Sequence, residues 1–271
     1  MTDKAIETAP ALALPKSKIN WIALAPWIYT LAFFLIWEAV VQAFGIRPTI
    51  LPAPSAIAGA LYEYWPAIQR HSIQTLFTTT LGFGLAVVAG LALGLLVGWS
   101  RMIYAGLYPL MVGFNAIPKV AVVPILVIWF GIGTIPAVLT AFLIAFFPIV
   151  VNVATGLATI EPETEDVLRA LGARKMDIML KVGIPRSMPY FFGSLKIAVT
   201  LAFVGSVISE TIAANSGLGY MMAAAQSQFN VPLVFAGLIM LAVEGIAMYA
   251  LMAWIEQRMT GWAHRSQLAN A

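Results

Sequence analysis

The chain alternates long apolar stretches with short polar connections, and one longer polar insert interrupts this pattern at residues 161–189. A helix needs about 20 predominantly apolar residues to cross the roughly 30 Å hydrocarbon core of a bilayer. The sequence therefore predicts an all-α, polytopic membrane domain over residues 21–255, with tails at 1–20 and 256–271. Its six predicted spans are Trp21–Phe44, Thr75–Trp99, Tyr104–Phe130, Ile135–Thr155, Tyr190–Ile212 and Val231–Ile255.

The polar insert predicts a charged helix-turn-helix at the membrane surface. Pro162 suits the first turn of a helix, and Glu163, Glu165 and Asp166 favour the N-terminal end of the helix dipole. Gly172 fits the position just past the C-terminus of that helix. A loop that only joined two spans would need fewer residues, so the insert is interpreted as a docking surface.

The second half of the insert predicts another helix, from Ala173 to about Ile184. Pro185 and Pro189 are expected to stop it before the next span begins. The turn carries apolar residues that are expected to be exposed and to need a groove on a partner protein to cover them. These residues are Met176, Ile178, Met179 and Leu180.

The second span carries small residues at every fourth position, which places them along one face of the helix. Lipid tails provide no hydrophobic drive for helix association, so spans pack closely where small residues let their backbones approach. Packing within the subunit is the expected use, and pairing of two subunits is the alternative. The stripe consists of Gly82, Ala86, Gly90, Gly94 and Gly98.

Three prolines, Pro109, Pro118 and Pro124, interrupt the third span and predict kinks or unwound turns. Broken backbone is tolerated at membrane depth where protein or a water-filled cavity covers the freed polar groups. Asn115 and Lys119 lie beside this break, and a lysine in mid-membrane should face a cavity or a partner. Lys119 is therefore a candidate pore-lining residue. In the alternative, its ammonium pairs with an acidic side chain or with neighbouring carbonyls in a structural role.

Polar residues crowd the outer end of the fifth span and predict a polar gate or a re-entrant turn. Gly217 and Gly219 permit the backbone to reverse there. A capped helix end followed by an ordinary loop is the alternative. Together with Asn115 and Lys119, the residues predicted to line the pathway are Ser206, Ser209, Glu210 and Asn215.

Composition and charge agree with a membrane location and orient the chain. Of 271 residues, 61% are hydrophobic and 10% charged, against about 25% charged in soluble domains. With the N-terminus in the cytoplasm, eleven of the fifteen Lys and Arg residues lie inside, and only Arg47 and Arg70 lie outside. Both termini and the polar insert are therefore predicted to be cytoplasmic. No cleaved signal peptide and no nucleic-acid partner are expected.

The sequence lacks the residues and motifs that several kinds of chemistry require. The chain has no cysteine, and both histidines, His71 and His264, lie outside the predicted spans, without an HExxH motif. An intramembrane hydrolase and a metal site are therefore not expected. No GxxxxGK[ST] phosphate loop occurs, so any ATP must be bound by another chain. A passive channel remains an alternative on composition and kinks alone.

The polar insert resembles the loop of membrane permease subunits of bacterial ATP-binding-cassette (ABC) importers. That family reads EAA, three residues, Gly, nine residues and then I-x-L-P. Here residues 166–168 fill the first three places, Gly172 the glycine, and Val182, Ile184 and Pro185 the end. The resemblance implies that residues 161–189 are the coupling loop, which inserts into a groove of an ATPase subunit. The residues it assigns to this coupling are Asp166, Arg169, Gly172, Ala173, Arg174, Lys175, Met176, Met179 and Pro185.

Three further segments resemble the nitrate, taurine and aliphatic-sulfonate permeases: ILPAPSAI at 50–57, PKVAVVPILVIWFGIG at 118–133 and SETIAANSGLGYMM at 209–222. The resemblance implies a type I importer fold like that of MetI, in the bacterial inner membrane. It also implies a second permease subunit, expected to be a copy of this chain, ATPase subunits that carry ATP and magnesium, and an external solute-binding protein. The permease itself does no chemistry and needs no cofactor. A small anionic solute such as a sulfonate, taurine or nitrate is expected. Pyrimidine thiamine precursors, riboflavin and aromatic acids are the alternatives.

Overall fold

The computed structural model describes residues 21–158 and 162–268, and every regular element within them is helical. The all-α prediction is confirmed. The tail predicted at 1–20 lies outside the described residues. The helices are α1 (Trp21–Ala43), α2 (Pro54–Glu63), α3 (Trp65–Gly98), α4 (Arg101–Ala116), α5 (Val123–Phe130), α6 (Thr134–Ala158), α7 (Pro162–Ala170), α8 (Lys175–Ile178), α9 (Ile184–Ala213), α10 (Leu218–Ser227) and α11 (Val231–Leu268).

The chain divides into two compact units, one ending at Ile46 and one from Arg47 onward. The described part of the first unit contains α1, which is long and apolar enough to cross a membrane. The second unit contains four more such helices and one bent pair, which consists of α4 and the segment from Lys119 through α5, with a bend of 76°. If the pair counts as one span, six spans result, as predicted.

Helix α6 forms the centre of the second unit, with α3 packed on one side and α9 on the other. The small residues of α3 allow the close approach. A Cβ built at Gly90 would lie 2.9 Å from the Cβ of Ile149, and one built at Gly94 would lie 2.7 Å from the Cβ of Val153. The small-residue stripe therefore faces α6 of the same subunit. Alanine and β-branched residues complete this core between the three helices.

Two helices extend further than the apolar pattern predicts. Helix α3 begins at Trp65 instead of Thr75, and α11 continues past Ile255 to Leu268. The additional turns carry polar residues outside the apolar stretches, and hydropathy marks only the apolar part of each helix. The residues predicted as a C-terminal tail from 256 therefore continue α11 as far as they are described.

The prediction that Pro185 and Pro189 end the second helix of the coupling loop is wrong. A π turn at Met179–Gly183 joins α8 to α9, and the Ile184 N–H donates to the Met179 carbonyl. Residues from Lys175 to Ala213 consequently form one long helix. A π turn shifts the hydrogen-bond register by one residue, and Pro185 follows this turn directly, as the second residue of α9.

Candidate functional site

The first helix of the coupling loop ends in a glycine-dependent turn. The Gly172 N–H donates to the Arg169 carbonyl at 2.9 Å, and the Ala173 N–H donates to the Leu168 carbonyl at 3.0 Å. This pair of bonds is the Schellman motif, and it requires a left-handed residue at the first position after the helix. Gly172 has φ +86°, as its predicted place past the helix end requires. The turn fixes the angle between α7 and α8.

The start of α8 is held against the C-terminal end of α3. The Asp177 carboxylate accepts a hydrogen bond from the Arg174 backbone N–H at 3.3 Å, which caps the first turn. The Lys175 ammonium lies 5.4 Å from the centre of the Trp99 ring, a cation–π contact. These contacts fix the basic end of the coupling loop against a span.

The coupling loop exposes an apolar face, which we define as Val167, Leu171, Met176 and Leu180. The exposed fractions of these residues are 60%, 79%, 52% and 54%. Ile178 and Met179 were also expected to be exposed, but they are buried, and Met179 joins the core between α3, α6 and α9. The π turn that begins at Met179 continues into α9, which brings this side of the loop onto the spans.

At the bend of the third span, Lys119 binds carbonyl groups at the C-terminal end of α4. Its ammonium donates to the Phe114 carbonyl at 2.9 Å and to the Asn115 carbonyl at 2.7 Å. The Asn115 side-chain oxygen lies 3.3 Å away. Lys119 therefore satisfies the C-terminal end of α4, as the structural alternative predicted. Its role in a pathway stays a prediction.

A cavity of about 500 Å³ opens beside this bend, between α3, α4 and α6. Apart from Asn115 and Lys119, its walls consist of leucine, methionine, isoleucine, valine and phenylalanine side chains. Three aromatic rings, those of Phe114, Phe146 and Phe147, contribute to the lining. An apolar lining with a few polar groups is typical of small-molecule sites.

Glu210 is the centre of a buried hydrogen-bond network near the C-terminal end of α9. Its side chain is 1% exposed and accepts hydrogen bonds from the hydroxyls of Thr75 at 2.8 Å and Thr78 at 3.0 Å. The Ser206 hydroxyl lies 3.4 Å from the same carboxylate and 2.6 Å from the Thr78 hydroxyl. Residues on α3 and α9 are thus tied together through one acidic group.

The same network caps the start of α10. The N–H groups of Gly217, Leu218 and Gly219 donate to His71 Nδ1, Thr75 Oγ1 and Glu210 Oε2 respectively. A helix leaves its first N–H groups without partners inside the helix, and its dipole favours a negative group there. The predicted backbone reversal therefore occurs at Gly217, as a sharp connection between α9 and α10.

The remaining predicted pathway residues occupy different surroundings. Ser209 is fully buried, and its hydroxyl has no hydrogen-bond partner within residues 21–158 and 162–268. Asn215 is exposed in the connection between α9 and α10. Sequence reasoning missed Thr75 and Thr78, although hydroxyl residues in an apolar stretch, here TLFTTT at 75–80, were a signal of buried polar contacts.

The family model described as "Binding-protein-dependent transport system inner membrane component" matches residues 86–261, which include the bent span, the coupling loop and Glu210. The chain belongs to this family of ABC importer permeases. Solved structures agree on the fold. The inward-facing MetNI methionine ABC transporter has a chain that matches the permease with a TM-score of 0.65 and 20% identity, over 73% of the permease and 98% of that chain.

The permease is also similar to curated relatives. It is 33% identical to the formylaminopyrimidine transport permease protein ThiX of Halalkalibacterium halodurans, over 90% of the permease and 98% of the relative. It is 31% identical to the riboflavin transport system permease protein RibX of Chloroflexus aurantiacus, over 90% and 92%. A protein of Bacillus subtilis named as an aliphatic sulfonates transport permease, SsuC, is 28% identical over 84% and 83%.

Proposed function

We propose that this permease forms, with a second copy of itself in the bacterial inner membrane, the pathway of an ATP-driven importer for a small planar nitrogen heterocycle. ATPase subunits carrying ATP and magnesium dock on the coupling loop from the cytoplasm, where both termini also lie. A solute-binding protein delivers the solute from outside. The family match supports the importer assignment, and the apolar face of the coupling loop supports the docking.

The cavity beside the bend is the observation that carries the choice of substrate. Its rings, Phe114, Phe146 and Phe147, offer stacking surfaces to a flat molecule. The Lys119 ammonium donates to two carbonyls and to the Asn115 side-chain oxygen, and the last of these bonds, at 3.3 Å, is the longest. A single acceptor of the solute, such as a ring nitrogen or carbonyl, would take the place of that side-chain oxygen. The two relatives above 30% identity named in the preceding section are named for a pyrimidine and for riboflavin, which supports the same class.

A sulfonate is the second candidate. This ranking is the reverse of the one that the sequence alone suggested. The Lys119 charge in an apolar cavity favours an anion, and the Bacillus subtilis relative is named for aliphatic sulfonates. A sulfonate needs several donors around its oxygens, however, and Asn115 and Lys119 are the polar residues of this lining. The geometry therefore supports the heterocycle better.

Uptake by the reconstituted complex of permease, ATPase and binding protein tests this function. We expect ATP-dependent uptake of a labelled pyrimidine or flavin in preference to taurine or an alkanesulfonate. Phe114→Ala should weaken apparent affinity roughly two- to tenfold, because one stacking contact is worth about 0.5–1.5 kcal/mol.

Phe77→Ala is the matched control, since Phe77 is a 55% exposed ring on α3 that does not line the cavity. Preferential uptake of the sulfonate would select the second candidate. Uptake at the same rate without ATP would show that the protein is a passive channel and not an ATP-driven importer.

A further inference from the structure

A second cavity, of about 420 Å³, lies between the coupling loop and the ends of three other helices. Its walls are formed by the C-terminal ends of α3 and α6, the start of α4, and one side of α7 and α8. Helix α7 contributes Glu165 and Arg169, which are four residues apart and so share one face of the helix. Val167 and Leu171 of the exposed apolar face do not line the cavity. Docking of a partner on that face and filling of this cavity therefore use different side chains.

Four charged side chains of the described chain line this cavity, and two of them neutralise each other. Arg169 and Glu165 form an ion pair at 2.5 Å. The Asp166 carboxylate and the Lys175 ammonium form no hydrogen bond or ion pair within residues 21–158 and 162–268. Lys175 contacts only the ring of Trp99 there, at 5.4 Å from its centre. The lining thus offers one negative and one positive group to a ligand.

The rest of the lining combines aromatic, hydroxyl and apolar groups, as is typical of a membrane surface. Trp99 and Tyr104 line the cavity, and tryptophan and tyrosine are enriched where membranes meet water. Helices α3 and α6, which end here, are long and apolar enough to cross a membrane, and α4, which begins here, belongs to the bent pair. Leu157 and Met179 add buried apolar surface. A ligand in this cavity therefore meets charged groups and apolar groups together, as the headgroup region of a lipid does.

We propose that this cavity binds the headgroup of one phospholipid that carries both a phosphate and a primary ammonium group, as phosphatidylethanolamine does. The phosphate binds the Lys175 ammonium, and the hydroxyls of Ser100 and Tyr104, which also line the cavity, supply further donors for its oxygens. The primary ammonium donates to the Asp166 carboxylate. The bound headgroup joins α7 and α8 to the ends of α3 and α6, and so fixes the coupling loop against the spans.

Two other common headgroups match this lining less well. Phosphatidylglycerol carries no cation, so the Asp166 carboxylate would stay unpaired beside a second negative charge. Phosphatidylcholine carries a quaternary ammonium, which has no N–H for a carboxylate and is recognised by the faces of aromatic rings. The Trp99 ring in this cavity is already in contact with Lys175. The ethanolamine headgroup should therefore bind more tightly than either.

Thermal unfolding of the purified full-length permease in detergent tests this site. Short-chain phosphatidylethanolamine, phosphatidylglycerol and phosphatidylcholine with identical acyl chains are added at equal concentrations. At about ten times its Kd, the ethanolamine lipid should raise the wild-type Tm by about 3–6 °C, in a saturable way, because a ligand that binds only the folded state stabilises it. The other two lipids should give smaller shifts at the same concentration.

Variants of the two unpaired charges locate the binding. Asp166→Asn and Lys175→Gln should each weaken the apparent affinity for the ethanolamine lipid roughly tenfold or more, because each removes a hydrogen bond between charged groups. Glu163→Gln and Lys181→Gln are the matched controls, since they remove exposed charges of the coupling loop that do not line the cavity. Both controls should keep the wild-type affinity.

Asp166→Lys separates a binding role from a structural one. With a second cation in place of the carboxylate, this variant should bind phosphatidylglycerol more tightly than the ethanolamine lipid, and an unchanged order of the lipids would contradict the site. Equal Tm shifts in the three lipids for the wild type would also overturn it. Soluble O-phosphoethanolamine tests the source of the ligand, since equal stabilisation by this compound at the same concentration would show that the occupant is a free solute and not a lipid.

Native mass spectrometry of the wild-type permease decides the case if the variants do not fold. We expect one molecule of the ethanolamine lipid to be retained per chain from an equal mixture of the three lipids. Equal retention of all three would count against the site.

Discussion

Gly217 shows most directly how a single residue shapes the connection between α9 and α10. Its φ is +106° and its ψ is 161°, a conformation that is essentially restricted to glycine. A Cβ built at this position would lie 2.2 Å from the Glu210 carboxyl carbon. The absence of a side chain therefore allows both the turn into α10 and the close approach of the Glu210 carboxylate.

Gly217→Ala should destabilise the protein more than a change of backbone conformation alone explains. Gly131 provides the control, because it has a similar conformation, with φ 77° and ψ 176°, and a Cβ there would meet nothing within 4 Å. Gly131→Ala should cost about 1–3 kcal/mol through backbone strain. Gly217→Ala should cost about 1–3 kcal/mol more through the steric conflict. Unfolding of both purified variants measures the difference, and equal losses would contradict the role of the contact.

Residues with local roles could be predicted from the sequence, and those with distant partners could not. Gly172 follows from helix-ending chemistry within a few residues, and Lys119 was singled out because a charge in an apolar stretch is costly. Thr75 lies 135 residues from Glu210, so only the packing of α3 against α9 reveals their bond. The burial of Met179 depends on a π turn, for which the sequence carries no comparable local signal.

Helix α3 packs closely on α6 at positions where its side chains are small or absent. Its small residues face α6, while residues between them, such as Gly84, face open space. Because lipid tails are as apolar as the helices, no hydrophobic effect drives two spans together. The fit of their shapes therefore decides which spans pack closely. The pairing of α3 with α6 is thus a matter of distance between backbones.

Two glycines of α3 should respond in opposite ways to alanine. Gly94→Ala would place a Cβ 2.7 Å from the Cβ of Val153 and should cost about 1–3 kcal/mol. Gly84→Ala meets nothing within 4 Å and should be neutral or stabilising by up to about 1 kcal/mol, because alanine favours the helix. Thermal unfolding of the two variants side by side gives the comparison. A similar loss at both positions would show that the stripe does not determine the packing.

For the whole molecule, the main consequence of the fold is that the coupling loop connects an exposed apolar face to the spans. The apolar face of the coupling loop is exposed, whereas Ile178 and Met179 on the same segment are buried against the spans. One side of the segment is thus available to a partner protein and the other is fixed to the bundle. An ATPase that bound the exposed side would act directly on the spans.

Met176→Asp should release the ATPase from the complex, because a charge in the docking groove is desolvated without a partner. Co-purification of the ATPase chain with the tagged permease is the measurement, and we expect at least a tenfold loss, equivalent to about 1.4 kcal/mol or more. Phe229→Asp alters a 76% exposed aromatic residue between α10 and α11 and should leave the ATPase bound. Full retention of the ATPase by Met176→Asp would contradict the docking assignment.

The helix that runs continuously from α8 through the π turn into α9 has the length to act as a lever. With 39 residues at about 1.5 Å each, this helix is about 58 Å long, and Glu210 lies near its far end. A tilt of only about 5° about the near end would displace the far end by roughly 5 Å, which is more than the length of the hydrogen bonds around Glu210. A small rotation of the helix at its Lys175 end would therefore be amplified into the breaking of the hydrogen-bond network at its other end.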